Sequence, residues 1–447
     1  MRAGVTIPRH SPHRVHLSRV MVCCALLLPG PGGAQTPGRL IERVTSTVDT
    51  SQAYALYLPP GYGGDRRWPV LFVLDPRGRA LVGLNLFEEA AARLGWVVLS
   101  SYNTLSDGPP EPNVDAMNAM LASAQTRLAI DPARLYLAGF SGTARVALHF
   151  AVALRGHIAG VIAAGGAVGF ELGGPETVFA GDSSFAYFGA AGTRDFNYEE
   201  VFALAERFGV TRVPYRVVAF EGPHSWPPAE ICGAALGWLE LRAMASGLRA
   251  TDSAWVRGRL EAELAQAAEL EGSGHWEDAL RLNDAIARDY GRWPGARGAT
   301  ARAAALRSKP AVVRYEHEAH QLAERDQRQG LELLKTLEWE RTQRDAPTLE
   351  ALLRRLRIAE LQRTVERGDS LEAASARRVL ARIHVWLAFY QPRAYVASGA
   401  PARAARMLAA AVAIGPIQGE GCALLRQALA AATAEERERL AGQCASE

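Results

Sequence analysis

Between residues 35 and about 245, short apolar runs alternate with stretches in which apolar residues recur at helical spacing. The runs AYALYLP (53–59), PVLFVLD (69–75), WVVLSSY (96–102), RLYLAGF (134–140), AGVIAAG (159–165), FAYFGAA (185–191) and YRVVAFEG (215–222) predict strands. From residue 69 onward they are apolar on both parities, the pattern of central strands buried on both faces. Helical spacing falls near 84–94, 113–129, 142–154, 198–208 and 228–246. Strand and helix in turn predict an α/β fold, a sheet flanked by helices on both faces.

After about Gly247 the strand-like runs vanish, and Ala, Arg, Glu and Leu at helical spacing predict an all-helical domain over 248–447. Within it GAPARAARMLAAAVAIGP (399–416) resembles the second helix of a tetratricopeptide repeat, with Ala404, Leu408, Ala411 and Pro416 at the small, large, small and proline positions. GHWEDALRLNDAIARDYG (274–291) matches in part, with Ala279 in the small position but Asn283 where a large apolar residue belongs. Ala279 and Ala404 are 125 residues apart, so no regular array is visible. The expectation is a degenerate helical-repeat domain, with a plain bundle as the alternative.

The first 34 residues carry Arg2, Arg9, Arg14 and Arg19, no acid, and the apolar run VMVCCALLL before GGA. Nine apolar residues are too few to span a bilayer, which needs about 20. The segment reads as an export signal cleaved near Ala34, so the protein is expected to be periplasmic or secreted. Without those four arginines the chain holds 46 basic and 47 acidic residues, so the net charge of +3 offers no footprint for nucleic acid. Export would permit a disulfide between Cys422 and Cys444, leaving Cys232 over. No His/Cys cluster has metal-ligand spacing, and no phosphate-binding glycine loop is present, so neither metal nor cofactor is expected.

Chemistry is suggested by LYLAGFSGTARVAL (135–148), a strand running into a helix with Ser141 at the turn. A serine hydroxyl needs a base, a group to orient that base, and donors for the oxyanion it creates. Gly139 removes a side chain before the strained turn, and Gly142 lets a backbone N–H approach the substrate oxygen. Thr143 stands where G-x-S-x-G has its second glycine, and a β-branched residue there requires a small neighbour. Asp195 follows the strand at 185–191, and His224 follows the strand at 215–222, in the loop GPHSWPP. Singly each reads as an ordinary turn, a helix cap or a solvated loop residue. Together they supply Ser, Asp and His in the chain order of an α/β-hydrolase triad, each after its own strand. The loop Asp75-Pro76-Arg77-Gly78 offers a second oxyanion donor in the Arg77 N–H, since Pro76 has none.

With these residues assembled, the chain resembles the esterase D, feruloyl esterase and polyhydroxybutyrate-depolymerase-like group of α/β-hydrolases over about residues 40–245. LAGFSG, GTRDFNY and GPHSWP carry the resemblance. It implies carboxylic-ester hydrolysis through a serine acyl-enzyme, with Ser141, Asp195 and His224 as the triad and the N–H groups of Gly142 and Arg77 as the oxyanion hole. The stretch 165–182 is too short for a large lid, so an open site taking a small or polymeric ester is expected, with Tyr102, Asn103, Arg194 and Trp226 as candidate substrate contacts. Residues 250–447 would bind a protein partner or shape access. Two alternatives remain at this point: an interaction protein on a degenerate hydrolase scaffold, and a peptidase using the same triad.

Overall fold

The computed structural model describes residues 37–167, 185–209 and 211–444, so the proposed export segment lies outside it. Eight strands form one sheet: β1 (Leu40–Thr45), β2 (Ala53–Tyr57), β3 (Trp68–Leu74), β4 (Val97–Ser101), β5 (Ile130–Phe140), β6 (Ile158–Ala164), β7 (Ala186–Gly192) and β8 (Tyr215–Phe220). Their spatial order is β1-β2-β4-β3-β5-β6-β7-β8. β1 and β2 are antiparallel to their neighbours, and all strands from β4 and β3 onward run parallel. This mixed sheet with flanking helices is the α/β-hydrolase fold.

The both-faces-apolar pattern is realised in the central strands but not in β8, an edge strand of which only Arg216 and Phe220 are buried. β3 and β7 are buried along their whole length. One face is covered by α1 (Ala80–Leu94) and α5 (Ala229–Ser246), and the other by α2 (Glu111–Arg127), α3 (Gly142–Ala153) and α4 (Tyr198–Phe208). Left-handed glycines stop α1 at Gly95 and α5 at Gly247, where a side chain would be strained. β1 was not anticipated. Only Val44 of its six residues is buried, because it is an edge strand and lacks an apolar run.

Beyond Gly247 every regular element among the described residues is helical: α6 (Ser253–Gly272), α7 (Trp276–Tyr290), α8 (Arg297–Arg307), α9 (Pro310–Thr342), α10 (Leu349–Arg355), α11 (Ile358–Glu366), α12 (Leu371–Val385), α13 (Gln391–Ala397), α14 (Pro401–Val412), α15 (Glu420–Ala428) and α16 (Ala434–Leu440). A π-helical turn, Trp386–Tyr390, joins α12 to α13. The core between α1, α5 and the sheet continues into Val256, Leu260, Ile286 and Tyr290 of α6 and α7, while α10–α16 enclose a separate core around Leu352, Leu387 and Leu408. Ala404, Leu408 and Ala411 are buried in α14. Asn283 is buried as well, because its amide donates to the Ala279 carbonyl one turn back. Helix lengths run from 7 to 33 residues. A disulfide joins Cys422 to Cys444, and Cys232 is free and buried.

Candidate active site

Ser141 sits at the junction of β5 and α3 with φ 57° and ψ −127°, a backbone conformation that non-glycine residues avoid. The surrounding glycines explain how the chain tolerates it. A Cβ on Gly139 would lie 2.3 Å from the Thr143 carbonyl oxygen, and one on Gly166 would lie 2.5 Å from that of Ser141. The Ser141 N–H donates to the Ala164 carbonyl at the end of β6, tying the turn to the sheet. Gly142 opens α3, so no carbonyl of its own helix accepts its N–H. Ser106, which sequence reasoning passed over, stands so close to Gly142 that an added Cβ would lie 2.5 Å from its side chain.

Thr143, whose β-branch was expected to require a small neighbour, is fully buried and turns its hydroxyl to backbone. That hydroxyl lies within hydrogen-bonding reach of the carbonyls of Leu74 and Phe140 and accepts the Phe140 N–H. The residue that departs from the usual spelling therefore ties the elbow to the end of β3.

The three candidate catalytic groups are brought together. His224 Nε2 is 2.8 Å from Ser141 Oγ, and His224 Nδ1 is 2.8 Å from Asp195 Oδ1. Asp195 is fully buried in the turn after β7, and its Oδ1 also accepts the Asn197 N–H at 2.8 Å. The imidazole is held between two rings, with Phe140 at 4.6 Å and Phe196 at 4.2 Å between centroids. Such contacts fix the plane of the ring without competing for its nitrogens.

The remaining candidates are placed elsewhere. The Arg77 N–H, expected in the oxyanion hole, donates to Asp75 Oδ1 at 2.9 Å, because the buried carboxylate two residues back captures it first. The Arg77 side chain reaches Glu420 of α15 at 3.4 Å. Tyr102 turns toward β1, donating its hydroxyl to the Glu42 carbonyl, and Asn103 is bonded to Ala53 and Ser51 beside β2. Arg194 is exposed and paired with Glu221. Each of these side chains is engaged by a neighbouring residue.

Trp226, a candidate substrate contact, is built into the frame of the site. Its indole N–H donates to Asp75 Oδ2 at 2.9 Å, and its ring packs 5.7 Å from Phe140. Asp75, also missed, thus links the loop after β3 to the loop carrying His224. Burial pushes its carboxyl upward, but hydrogen bonds from Arg79, Trp226 and the N–H groups of Arg77 and Arg79 outweigh that and hold it below the usual carboxylate range.

The expected open approach is bordered by the helical region. Arg378 and Arg382 of α12 contact the Asp195 loop, and Tyr390 of the π-helical turn donates to Asp107 at 3.2 Å. Residues 168–182 of the stretch first considered as a cap lie outside the described residues. Among the described residues no His/Cys/Asp/Glu group is arranged to hold a metal ion, and no helix is long and apolar enough to cross a membrane.

No protein-family model and no curated protein matches this sequence. Solved structures do align with it. The fluorophosphonate-binding serine hydrolase F of Staphylococcus aureus is 14% identical, covering 46% of this chain and 99% of its own at a TM-score of 0.38. A hyperthermophilic esterase from the archaeon Pyrobaculum calidifontis is 14% identical over 46% of this chain and 87% of its own, with a TM-score of 0.37. The feruloyl esterase module of Clostridium thermocellum is 14% identical over 46% and 91%, with a TM-score of 0.36. The fold assignment stands on the strand order and the elbow, not on these likenesses.

Proposed function

We propose that this protein is an exported serine hydrolase that cleaves carboxylic esters through an acyl-enzyme on Ser141. The observation that carries this reading is the unbroken chain of contacts from Ser141 Oγ through His224 to buried Asp195, each 2.8 Å long, beneath a strained nucleophile turn. In this reading His224 Nε2 takes the Ser141 proton as Oγ bonds to the ester carbonyl carbon, and Asp195 holds the Nδ1–H and stabilises the imidazolium. The Gly142 N–H faces the charge that develops on the carbonyl oxygen. Collapse expels the alcohol, which receives its proton from His224, and water repeats the sequence to release the acid.

Esters are preferred over peptides because LAGFSG, GTRDFNY and GPHSWP resemble those of esterases. The test is mass-spectrometric detection of a fluorophosphonate adduct on Ser141, together with turnover of short p-nitrophenyl and aromatic esters. Ser141→Ala should abolish both, and Asp195→Asn should lower kcat by about 10⁴-fold. A wild type with neither adduct nor turnover would sink the proposal. Export is tested separately, by finding whether the mature protein begins at Gln35.

A further inference from the structure

We infer that Arg382 of the helical region is a positioning residue for the triad, acting through the loop that carries Asp195. The inference rests on the serine-hydrolase reading and adds that the catalytic geometry is completed from outside the α/β domain.

The backbone of Asp195 is tied within the α/β domain, its N–H donating to the Gly192 carbonyl at 2.9 Å and its carbonyl accepting the Tyr198 N–H at 3.0 Å. Its carboxylate is held on one side: Oδ1 receives the Asn197 N–H and His224, whereas buried Oδ2 has no hydrogen-bond partner among the described residues. The loop that carries it is tied a second time, to the helical region. Arg382 Nη2 donates to the Phe196 carbonyl at 2.9 Å, across 186 residues of chain. That is the residue after Asp195, and its ring is one of the two that pack against His224, 4.2 Å away between centroids. Arg378, one turn earlier on α12, pairs with Glu199 at 2.7 Å and approaches the Thr193 carbonyl at 3.5 Å. The two arginines thus hold the loop on both sides of the acid.

Arg382 is itself held. Its other terminal nitrogen is bonded to Asp326 of α9, a carboxylate that is only 1% exposed. A guanidinium fixed by a buried carboxylate on one prong presents the second in a set direction, which an ammonium cannot do. Not every bridge between the two regions is of this buried kind. Arg77 and Glu420 are each more than half exposed, so their pair contributes little.

Arg382→Lys is the direct probe, because it keeps a cation beside Asp326 and removes the fork. The full-length variant should lose about tenfold in kcat on a short p-nitrophenyl ester, with KM within about twofold and an unchanged circular dichroism spectrum. The deciding readout is a double-mutant cycle on the rate of fluorophosphonate labelling of Ser141. If Arg382 acts through the acid, Arg382→Lys costs nothing further in an Asp195→Asn background. Should Arg382→Lys fail to fold, Asp326→Asn frees the same guanidinium and is judged by the same two criteria. An active wild type whose variant retains kcat within twofold, or an equal loss in both backgrounds, would overturn the inference alone. A wild type that neither labels nor turns over would overturn the hydrolase reading and this inference with it.

Discussion

The hydroxyl of Thr143 bridges the start of α3 to the carbonyl of Leu74, the last residue of β3. Its single proton serves that carbonyl or the one at Phe140, while its lone pair accepts the Phe140 N–H. Thr143 is fully buried, so no solvent replaces the hydroxyl if it is removed. Thr143→Val, which keeps the shape and deletes the donor, should cost about 1–3 kcal/mol in chemical denaturation. Thr143→Ser should stay close to wild type in stability and kcat. A valine variant as stable as wild type would show that the bridge is dispensable.

Gly165 occupies the turn after β6 with φ 57°, and a Cβ there would lie 2.9 Å from Asp195 Oδ2 and 3.1 Å from His224 Cε1. Gly165→Ala therefore combines backbone strain of about 1–2 kcal/mol with pressure on the acid–base contact. We expect kcat to fall by about 10–100-fold while KM changes little, since the added methyl displaces catalytic groups and not substrate. Steady-state kinetics on a short ester checks this. A rise in KM at constant kcat would place the methyl in the substrate path instead.

How far the molecule was legible in its sequence depends on the distance over which each feature is decided. β2 to β7 were legible because burial leaves largely apolar runs, whereas edge strand β8 was read as a central strand from its VVAF run although only Arg216 and Phe220 are buried, and β1 shows only Val44 to the core. α1 begins at Ala80, four residues before its expected start, with Arg79 making no capping hydrogen bond that could have marked the boundary. Ser141, Asp195 and His224 were legible because each follows a strand, and strand ends converge in a parallel sheet. The destination of the Arg77 N–H was not, because it turns on the rotamer of Asp75. Tyr102, Asn103 and Arg194 were near a strand end or a catalytic residue in sequence, but their orientation is set by nearby partners that spacing does not reveal. Arg378 and Arg382 meet Glu199 and Phe196 across 179 and 186 residues, which no local pattern encodes.

Asp75 should make stability depend on acid pH. Its folded carboxyl titrates below the ordinary value of 3.8, so its contribution is fully present above about pH 4 and is lost as pH falls through the lowered value. Asp75→Asn removes the charge while leaving an acceptor for Trp226. At pH 7 the variant should be less stable by about 1–3 kcal/mol. Most of that belongs to the backbone N–H groups of Arg77 and Arg79, since the Arg79 side chain is 44% exposed. The gap between variant and wild type should narrow below pH 4, as measured by denaturation across pH. A gap that stays constant down to pH 2 would mean that the carboxylate is not the source.

Arg216 on β8 joins the sheet to the helices that follow it. Its guanidinium meets Glu263 of α6 at 2.7 Å and Asp289 of α7 at 2.8 Å, and Tyr290 donates to Glu263 at 2.9 Å. Burial lowers the tendency of Arg216 to stay charged, but the two carboxylates outweigh it. Arg216→Met leaves Asp289 buried without its cation and Glu263 with only Arg259 and Tyr290, and should cost about 3–5 kcal/mol. Replacing all three with apolar residues of similar size, as Arg216→Met with Glu263→Leu and Asp289→Leu, should recover most of the loss, because the apolar surface of Val256, Leu260 and Ile286 already continues the core. A single variant that loses less than about 1 kcal/mol would show that the apolar contact alone docks α6 and α7 on the sheet.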